Sequence, residues 1–405
     1  MQLSRAPKTS DHFGRYYTDQ DIAGLLVKTV CVKKPGIVID LGAGDGALAG
    51  EASMHWDEAR FVTVDIDCNA GSSRLNDLRG SAFTHHVGNA LDDSLDQKIG
   101  LAYGSVDLAL CNPPYVRPKW RKHFGEILED AGLSHIIPKF GCITAEVLFI
   151  AQNLRFLRAG GKLGLILPDG VIAGEKFAKL RHSLATAHRL ERVIELPRRV
   201  FHNTDAKAHI VVLAKHESAA ETIRIQRLEA SGMLSPAIDL NTEKAIARLD
   251  YSYLASHQRI APKARGVRLR DIMQVLTRGS YSSAERKECS FPVFHTTDFE
   301  PGSLDVPRDF VLSKSAAAST CGIVAQAGDI LIARVGRNLE QKVCTVTRGA
   351  VAISDCVMLL RVAPRYHDRA VRFLSSASGR AVLLSISHGV GARFITTEAM
   401  LELVI

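Results

Sequence analysis

The sequence predicts an α/β protein, with an open, doubly wound sheet followed by a smaller α+β domain. Residues from about 36 to 215 alternate short apolar runs with helical stretches, the pattern of a sheet covered by helices on both faces. A polar, mixed segment without a clear period follows, which predicts a domain junction. With 405 residues the chain has the length of two ordinary domains. We therefore predict two domains over residues 1–225 and 259–405, with a linker over 226–258.

Six apolar runs in the first domain have the length and composition of buried strands. They are Ile37–Leu41, Phe61–Ile66, Val106–Cys111, Leu163–Leu167, Arg192–Leu196 and His209–Ala214. The segment Asp21–Val30 is predicted as a helix ahead of the first strand. A second helix is predicted over Ala145–Leu157, because its apolar residues recur at helical spacing and Gly160 and Gly161 then end it.

The net charge of +8 is unevenly distributed along the chain. From Arg259 onward there are 20 Lys plus Arg and 13 Asp plus Glu, a net charge of +7, and 16 of the 20 basic residues are Arg. Arginine suits contacts with phosphates and guanine edges because its donors are planar and forked. The net positive charge is explained equally well by a basic surface that only keeps the protein soluble.

The eight cysteines are scattered and form no C-x-x-C pair. This pattern argues against a zinc site and against a secreted disulfide framework. No apolar run reaches about 18 residues, and the N-terminal segment has no apolar core of signal-peptide length. We therefore expect a reduced, cytoplasmic protein without a bound metal and without a membrane partner. No feature of the sequence indicates an oligomeric state.

A glycine-rich turn follows the first predicted strand. The run from Val38 to Gly46 reads Val-Ile-Asp-Leu-Gly-Ala-Gly-Asp-Gly, and it places Asp40 near the strand end and Gly42 and Gly44 in the turn. Glycines let a backbone approach a ligand closely, and an acidic side chain can bind a positive or hydroxyl-bearing group. The spacing differs from G-x-G-x-x-G, which disfavours a nicotinamide cofactor. Asp65 ends the next strand and is placed to bond both hydroxyls of a ribose.

The third predicted strand delivers Asn112-Pro113-Pro114-Tyr115 at its carboxyl end, where open α/β sheets bind ligands. The Asn112 side-chain oxygen and the Pro113 carbonyl could together accept both hydrogens of an amino group. An aromatic amine is a poor nucleophile because its lone pair is delocalised into the ring. Two acceptors would pull its nitrogen toward tetrahedral geometry and aim the lone pair at a methyl donor, while Tyr115 stacks on the ring.

These motifs resemble those of amino-methyltransferases, and their order resembles the gamma class of DNA adenine-N6 methyltransferases. The resemblance covers residues 14 to about 215 and implies a Rossmann-like domain that binds S-adenosyl-L-methionine. Its cofactor contacts correspond to Tyr17 and Thr18 in an N-terminal segment, to Asp40, Gly42 and Gly44, to Asp65 and Ile66, and to Asn89 and Ala90. Asn89 stands where the family usually has Asp, although its side-chain oxygen can still accept a hydrogen bond.

The resemblance also implies residues that handle DNA. Phe201 corresponds to the aromatic residue that stacks on a flipped base, next to Tyr115. The basic stretch after the catalytic turn, with Arg117 and Lys119, is expected to contact phosphates, or else to be a solvated loop.

The C-terminal part resembles the target-recognition domains of type I restriction specificity subunits. The matching segments are Leu269–Ile272, Gly328–Gly336 and His388–Thr396. Arg334 and Arg393 lie beside glycine-containing turns within them, and we expect them to enter a DNA groove.

Together these features predict a site-specific DNA methyltransferase of a restriction-modification system, acting on adenine N6 in double-stranded DNA by base flipping. Methylation of cytosine N4 is the alternative within DNA, and methylation of a protein glutamine is the alternative outside it. A third alternative is a DNA-binding specificity module whose methyltransferase-like half is inert. No nuclease centre is evident, so we expect any cleavage to belong to a separate restriction endonuclease.

Overall fold

The computed structural model describes residues 18–68, 82–136, 143–198, 207–242, 247–260, 266–387 and 393–405. The chain divides into two compact units, the first ending at Tyr251 and the second beginning at Ser252. Among the described residues, no helix combines the length and the apolar character that crossing a membrane requires.

The first unit is built on one large sheet, which in the described residues has nine strands in the order β3-β2-β1-β4-β5-β7-β6-β8-β9. All strands except β7 and β9 run in the same direction, so their carboxyl ends meet at one edge. The strands are β1 (Ile37–Leu41), β2 (Arg60–Asp65), β3 (Phe83–Val87), β4 (Val106–Cys111), β5 (Leu157–Pro168), β6 (Arg189–Glu195), β7 (Ala208–Ala214), β8 (Thr222–Arg227) and β9 (Ile238–Asn241).

Helices pack against this sheet through apolar faces. They are α1 (Gln20–Thr29), α2 (Ala47–His55), α3 (Leu95–Ile99), α4 (His123–Asp130), α5 (Ala145–Phe156), α6 (Asp169–Ala173) and α7 (Ala178–Thr186). Helix α1 begins where the Asp19 side chain accepts a hydrogen bond from the Asp21 amide. It lies so close to β5 that a Cβ added at Gly164 would be only 2.7 Å from Val30 Cγ1, so the contact requires glycine.

The α/β fold predicted from the sequence is confirmed, and all six predicted strands have their central residues in observed strands, namely β1, β2, β4, β5, β6 and β7. The domain boundary differs from the predicted one. Residues 226–251, predicted as part of a linker, belong to the first unit, and they include β9, which pairs with β8. These strands alternate exposed and buried residues, so they lack the continuous apolar run that marks the central strands.

The second unit combines small sheets with short helices. Its described strands form the orders β10-β17-β13-β15, β11-β16-β12 and β14-β18. They are β10 (Met273–Arg278), β11 (Val293–Phe294), β12 (Val324–Gln326), β13 (Ile330–Ala333), β14 (Val335–Gly336), β15 (Val343–Thr345), β16 (Ala350–Ile353), β17 (Val357–Val362) and β18 (Arg393–Phe394). The helices are α8 (Tyr251–Ile260, which begins at the last residue of the first unit), α9 (Leu269–Ile272), α10 (Glu285–Glu288), α11 (Lys314–Ser319), α12 (His367–Ser375), α13 (Ala377–Ile386) and α14 (Thr397–Leu401).

Candidate active site

The turn after β1 depends on its glycines. Gly42, Gly44 and Gly46 have φ angles of 78°, 55° and 81°, in the left-handed region that other residues rarely adopt. The Gly42 amide donates to the Val64 carbonyl oxygen at 2.8 Å, which ties the turn to β2. A Cβ on Gly42 would approach the Phe149 ring to 3.1 Å, so a side chain here would crowd the ring. The turn therefore keeps its backbone close to the sheet edge and leaves space above it.

A cavity of about 270 Å³ occupies that space, at the carboxyl ends of β1, β2 and β4. Most of the predicted cofactor residues line it, namely Thr18, Gly42, Gly44, Asp65, Ile66, Asn89 and Ala90. Tyr17 lies outside the described residues. Several further lining residues were given no cofactor role from the sequence, and they come from the loop after β3, the segment after β4 and helix α5: Leu91, Val116, Pro118, Ala145 and Phe149.

Asp65 connects the two turns that frame the cavity. One carboxylate oxygen accepts from the Gly44 amide at 2.8 Å and the other accepts from the Asp67 amide at 2.9 Å. Asp65 is buried, at 5% exposed, and still lines the cavity. The next residue, Ile66, is 52% exposed although it is apolar. A carboxylate beside an open apolar side chain suits a ribose and the flat face of a base.

Asp40 is placed differently from its expected position at the ligand. Its side chain is only 1% exposed and is not among the residues that line the cavity. Burial, together with the nearby Asp65 charge, raises the pKa of Asp40 to about 8, so the carboxyl group is mostly neutral at pH 7. Burial and Asp40 also raise the pKa of the Cys111 thiol, which donates to the Leu41 carbonyl oxygen at 3.2 Å. Asp40 therefore belongs to the buried end of β1 and not to the cavity wall.

The Asn112–Tyr115 turn follows the end of β4 and lies at the cavity. Asn112 and Pro114 line the cavity, whereas Pro113 is buried and Tyr115 is partly buried. The Asn112 side-chain nitrogen donates to the Thr18 hydroxyl at 3.1 Å, which orients the amide group. The Tyr115 hydroxyl points toward the Ile166 carbonyl oxygen of β5, at 3.5 Å. The turn is therefore held from β5 on one side and from the N-terminal segment on the other.

The loop after β3 closes the cavity on a further side. The Asn89 side-chain oxygen accepts from the Leu91 amide at 3.0 Å, so this Asn stabilises its own loop. The His123 Nε2 donates to the Leu91 carbonyl oxygen at 3.0 Å, and the Gln152 side chain donates to the Asp92 carbonyl oxygen at 3.3 Å. These two hydrogen bonds come from α4 and α5. They were not evident in the sequence, because the partners are 32 residues apart in the first and 60 residues apart in the second.

The sequence model of the N-6 DNA methylase family matches residues 3–237, more than half of the chain. This chain belongs to the N-6 DNA methylase family.

Two curated proteins are similar to parts of this N-6 DNA methylase chain. The type I restriction enzyme MjaVII methylase subunit of Methanocaldococcus jannaschii is 22% identical over 237 residues, which cover 54% of this chain and 39% of that protein. The 4-amino-L-phenylalanine/4-methylamino-L-phenylalanine methyltransferase of Streptomyces pristinaespiralis is 30% identical over 93 residues, 23% of this chain and 30% of that protein. The chain therefore spans less than half the length of the curated relatives that it matches.

One solved structure resembles the chain over nearly its whole length. The type IIG restriction endonuclease BpuSI aligns with 98% of this chain and 59% of its own, at a TM-score of 0.53 and 14% sequence identity. At that identity the likeness concerns the fold alone. It extends beyond the methylase domain into the second unit.

A buried group of charged side chains lies at the same sheet edge, beyond β4. We call it the Lys207 network. The Lys207 ammonium lies 3.1 Å from a Glu195 carboxylate oxygen, 3.4 Å from Asp169 and 3.9 Å from Asp250. Asp250 in turn pairs with Arg248 at 2.7 Å. Burial opposes the charge on Lys207, but the three carboxylates outweigh it and raise the Lys207 pKa.

The network was missed in the sequence because its members come from four separate segments. Asp169 follows the end of β5, Glu195 ends β6, Lys207 precedes β7, and Asp250 comes just before the unit boundary. No spacing rule connects such positions. Of its members, Glu195 lies in the predicted strand Arg192–Leu196, but that strand was predicted from its apolar residues and the carboxylate was given no role.

The predicted DNA-contacting residues are found in different settings. Arg117 and Lys119 are exposed just after the Asn112–Tyr115 turn. In the second unit, Arg334 donates from Nε to the Asp355 carbonyl oxygen at 2.7 Å, and an Arg393 nitrogen lies 3.8 Å from a Glu340 oxygen. Both arginines thus already have partners within their own unit. Phe201 and residues 388–392 lie outside the described residues.

Proposed function

We propose that this chain transfers a methyl group from S-adenosyl-L-methionine to the N6 amino group of adenine in duplex DNA. The observation that carries the proposal is the position of Asn112 and Pro114. They lie in the wall of the same cavity as the glycine-rich turn and Asp65. The residues proposed to hold the amine and those proposed to hold the cofactor are thus adjacent, as direct transfer between two bound molecules requires.

The cavity residues fit S-adenosyl-L-methionine. The Asp65 carboxylate can accept from ribose hydroxyls, and the exposed Ile66 side chain can pack on an adenine ring. Gly42 and Gly44 carry no side chain that would fill the space beside them. The cofactor, once bound, supplies a methyl group on a positively charged sulfur.

The chain's own contribution to the reaction is to orient and polarise the amine. The Asn112 oxygen and the Pro113 carbonyl are the acceptors proposed for the two N6 hydrogens. Thr18 accepts a hydrogen bond from the Asn112 nitrogen and thereby orients the side-chain amide. Tyr115 is proposed to stack on the base. No covalent intermediate with the protein is needed, and the buried Cys111 thiol, with its raised pKa, is unsuited to form one.

We also propose how the chain contacts duplex DNA. A base must leave the duplex to reach Asn112, so we propose base flipping, with Phe201 as a second stacking residue and Arg117 and Lys119 as phosphate contacts. The motif order supports membership of the gamma class. We propose that the second unit, with its net charge of +7, recognises the target sequence, and that cleavage in a restriction-modification system belongs to a separate endonuclease.

The decisive experiment is to express the chain in a host that lacks DNA methylation and to map modified bases across the genome. We expect N6-methyladenine in one short sequence context, and loss of the signal in the Asn112→Ala variant. Finding only N4-methylcytosine, or methylated protein with unmodified DNA, would contradict the adenine assignment. An unmodified genome together with intact cofactor binding would favour the inert specificity module.

The division of labour between the units can be tested by deleting the second one. A chain that ends after Tyr251 keeps the whole large sheet and the Lys207 network. We expect it to bind S-adenosyl-L-methionine but to lose site-selective DNA binding. Circular dichroism must first show that it folds. If this shorter chain methylated the same sequence context, recognition would not belong to the second unit.

A further inference from the structure

The start of α5 carries two buried polar atoms at the carboxyl edge of the sheet. Because α5 leads directly into β5, the helix begins at the edge where β4 and β5 end, and Ala145 in its first turn lines the cavity. Thr144 precedes the helix, but its side chain caps no helix amide. Among the described residues, neither the buried Thr144 hydroxyl oxygen nor the buried Glu146 Oε2 has a hydrogen-bond partner. Buried polar atoms of this kind are unfavourable until a ligand or a water molecule pairs with them.

Glu146 is the more unusual of the two residues. It is only 7% exposed, on a helix that is buried on nearly all sides. Burial raises the pKa of Glu146, and its own backbone amide and the Thr144 hydroxyl oppose this rise. The positive charges of Lys176 and Arg117 also oppose it, so both cations act on the carboxyl group. Burial therefore favours the neutral form of Glu146, which can donate a hydrogen bond as well as accept one.

The two cations surround this carboxyl group from neighbouring strand ends. Arg117 follows the Asn112–Tyr115 turn at the end of β4. Lys176 belongs to the short 3-10 helix Glu175–Phe177, which comes just after α6 at the end of β5. Strands β4 and β5 are paired in the sheet, and both cations are exposed to solvent. The start of α5 therefore combines buried hydrogen-bonding groups with exposed positive charge close by.

A nucleotide that has left a duplex has the matching chemistry. Its phosphates are anionic, and its base carries ring nitrogens that accept hydrogen bonds. In adenine, the Asn112 oxygen and the Pro113 carbonyl are already proposed to accept the two amino hydrogens, which leaves the ring nitrogens without donors. Neutral Glu146 and the Thr144 hydroxyl can supply donors to a ring nitrogen. A base held there would also exclude water, which favours the neutral carboxyl group further.

We propose that Glu146, together with Thr144, binds a ring nitrogen of the flipped adenine. The inference rests on the proposed function and adds a contact on the ring to the contacts proposed for the amino group. Arg117 and Lys176 would face the phosphates on either side of the flipped nucleotide. Glu146 is then a residue that determines which base the site accepts, because the bond depends on an acceptor nitrogen in the ring.

The test replaces one ring nitrogen of the target adenine by C–H and measures kcat/KM for methyl transfer. The probes are duplexes of the mapped sequence context that carry adenine, 1-deazaadenine, 3-deazaadenine or 7-deazaadenine at the target position. The ratio of kcat/KM for adenine to that for each analogue is compared between the unaltered protein and Glu146→Leu. For at least one analogue we expect this ratio to be about tenfold larger in the unaltered protein, where the analogue leaves Glu146 unpaired. The analogue's own effect on the reactivity of the amine is the same in both proteins and cancels.

Glu175→Leu is the matched control. Glu175 lies next to Lys176, but it is exposed, so this variant should keep the ratio of the unaltered protein. If Glu146→Leu does not fold, Glu146→Gln provides a second test, because an amide retains a donor but does not titrate. In the unaltered protein the ratio should fall as pH rises through the raised pKa of Glu146, since the carboxyl group then loses its proton. In Glu146→Gln the ratio should not depend on pH.

The outcomes separate this inference from the proposed function. In a protein that methylates adenine in DNA, equal ratios in the unaltered protein and folded Glu146→Leu for all three analogues overturn the ring contact alone. A purely structural role for Glu146 gives that result, because it lowers the melting temperature and affects adenine and its analogues alike. The same pH dependence in Glu146→Gln as in the unaltered protein also overturns the contact. A protein that modifies no DNA overturns the proposed function itself.

Discussion

Two neighbouring parts of the large sheet present different chemistry at the same edge. In the part formed by β3, β2, β1 and β4, glycine and Asn-Pro-Pro-Tyr turns surround an open cavity. In the part formed by β5, β7 and β6, the same edge is filled by the buried Lys207 network. The first part keeps polar groups available to a ligand, whereas the second pairs them with one another. A shared strand edge therefore does not make every polar side chain along it a ligand contact.

The largest expected effect is on the cavity side. Asn112→Ala should reduce methyl transfer by at least about a hundredfold, because it removes an acceptor that acts on the reacting amine. Cofactor affinity should change little, because Asn112 is proposed to contact the base. Single-turnover transfer of labelled methyl groups to DNA measures the first quantity, and calorimetric titration measures the second. Activity that survives within a few-fold would refute the proposed activation.

The Lys207 network should instead be essential for stability. Lys207→Met leaves three buried carboxylates without their shared cation and should lower the free energy of unfolding by about 3–5 kcal/mol. Urea unfolding measures this change in the free energy of unfolding. The control is Lys34→Met, whose pair with Glu58 has both side chains more than 80% exposed and should contribute less than about 1 kcal/mol. Equal unfolding midpoints for the two variants would show that the network is not a stabilising unit.

Asp65→Ala should act on cofactor binding. It removes a carboxylate that lines the cavity and accepts from the Gly44 amide. Losing hydrogen bonds to a charged group should weaken S-adenosyl-L-methionine binding by about tenfold to a hundredfold. Calorimetry checks the affinity, and Asp67→Ala serves as the neighbouring control because Asp67 does not line the cavity. An unchanged affinity in Asp65→Ala would remove Asp65 from the proposed cofactor contacts.

The smallest expected effect is the change in folding stability per pH unit that Asp40 causes. Its folded-state pKa of about 8 lies above the ordinary value of 3.8, so the folded protein retains a proton that the unfolded chain releases. Stability from this group is therefore lost as pH rises between these two values, at up to about 1.4 kcal/mol per pH unit. Asp40→Asn should remove that slope. Urea unfolding at several pH values tests it, and parallel curves for the two proteins would contradict a raised pKa.

The sequence predicted well those features that are local in the chain. The strand Val106–Cys111 and the turn after it were predicted residue by residue, because an apolar run followed by Asn-Pro-Pro-Tyr needs no distant partner to be recognised. Strands β3, β8 and β9 were missed, because they are partly exposed and mix polar with apolar residues. For the same reason the predicted linker included residues that continue the sheet up to Asn241.

The sequence by itself determined the fold class and identified half of the residues that line the cavity, because both depend on short patterns of apolar, glycine and proline residues. Only the tertiary structure decided what individual polar groups do there. It buried Asp40 while leaving Asp65 at the cavity, it assembled the Lys207 network from four segments, and it joined His123 to the Leu91 loop. Burial and pairing depend on groups distant in the chain, so a carboxylate's solvation and charge are set only once its neighbours have been brought together by folding.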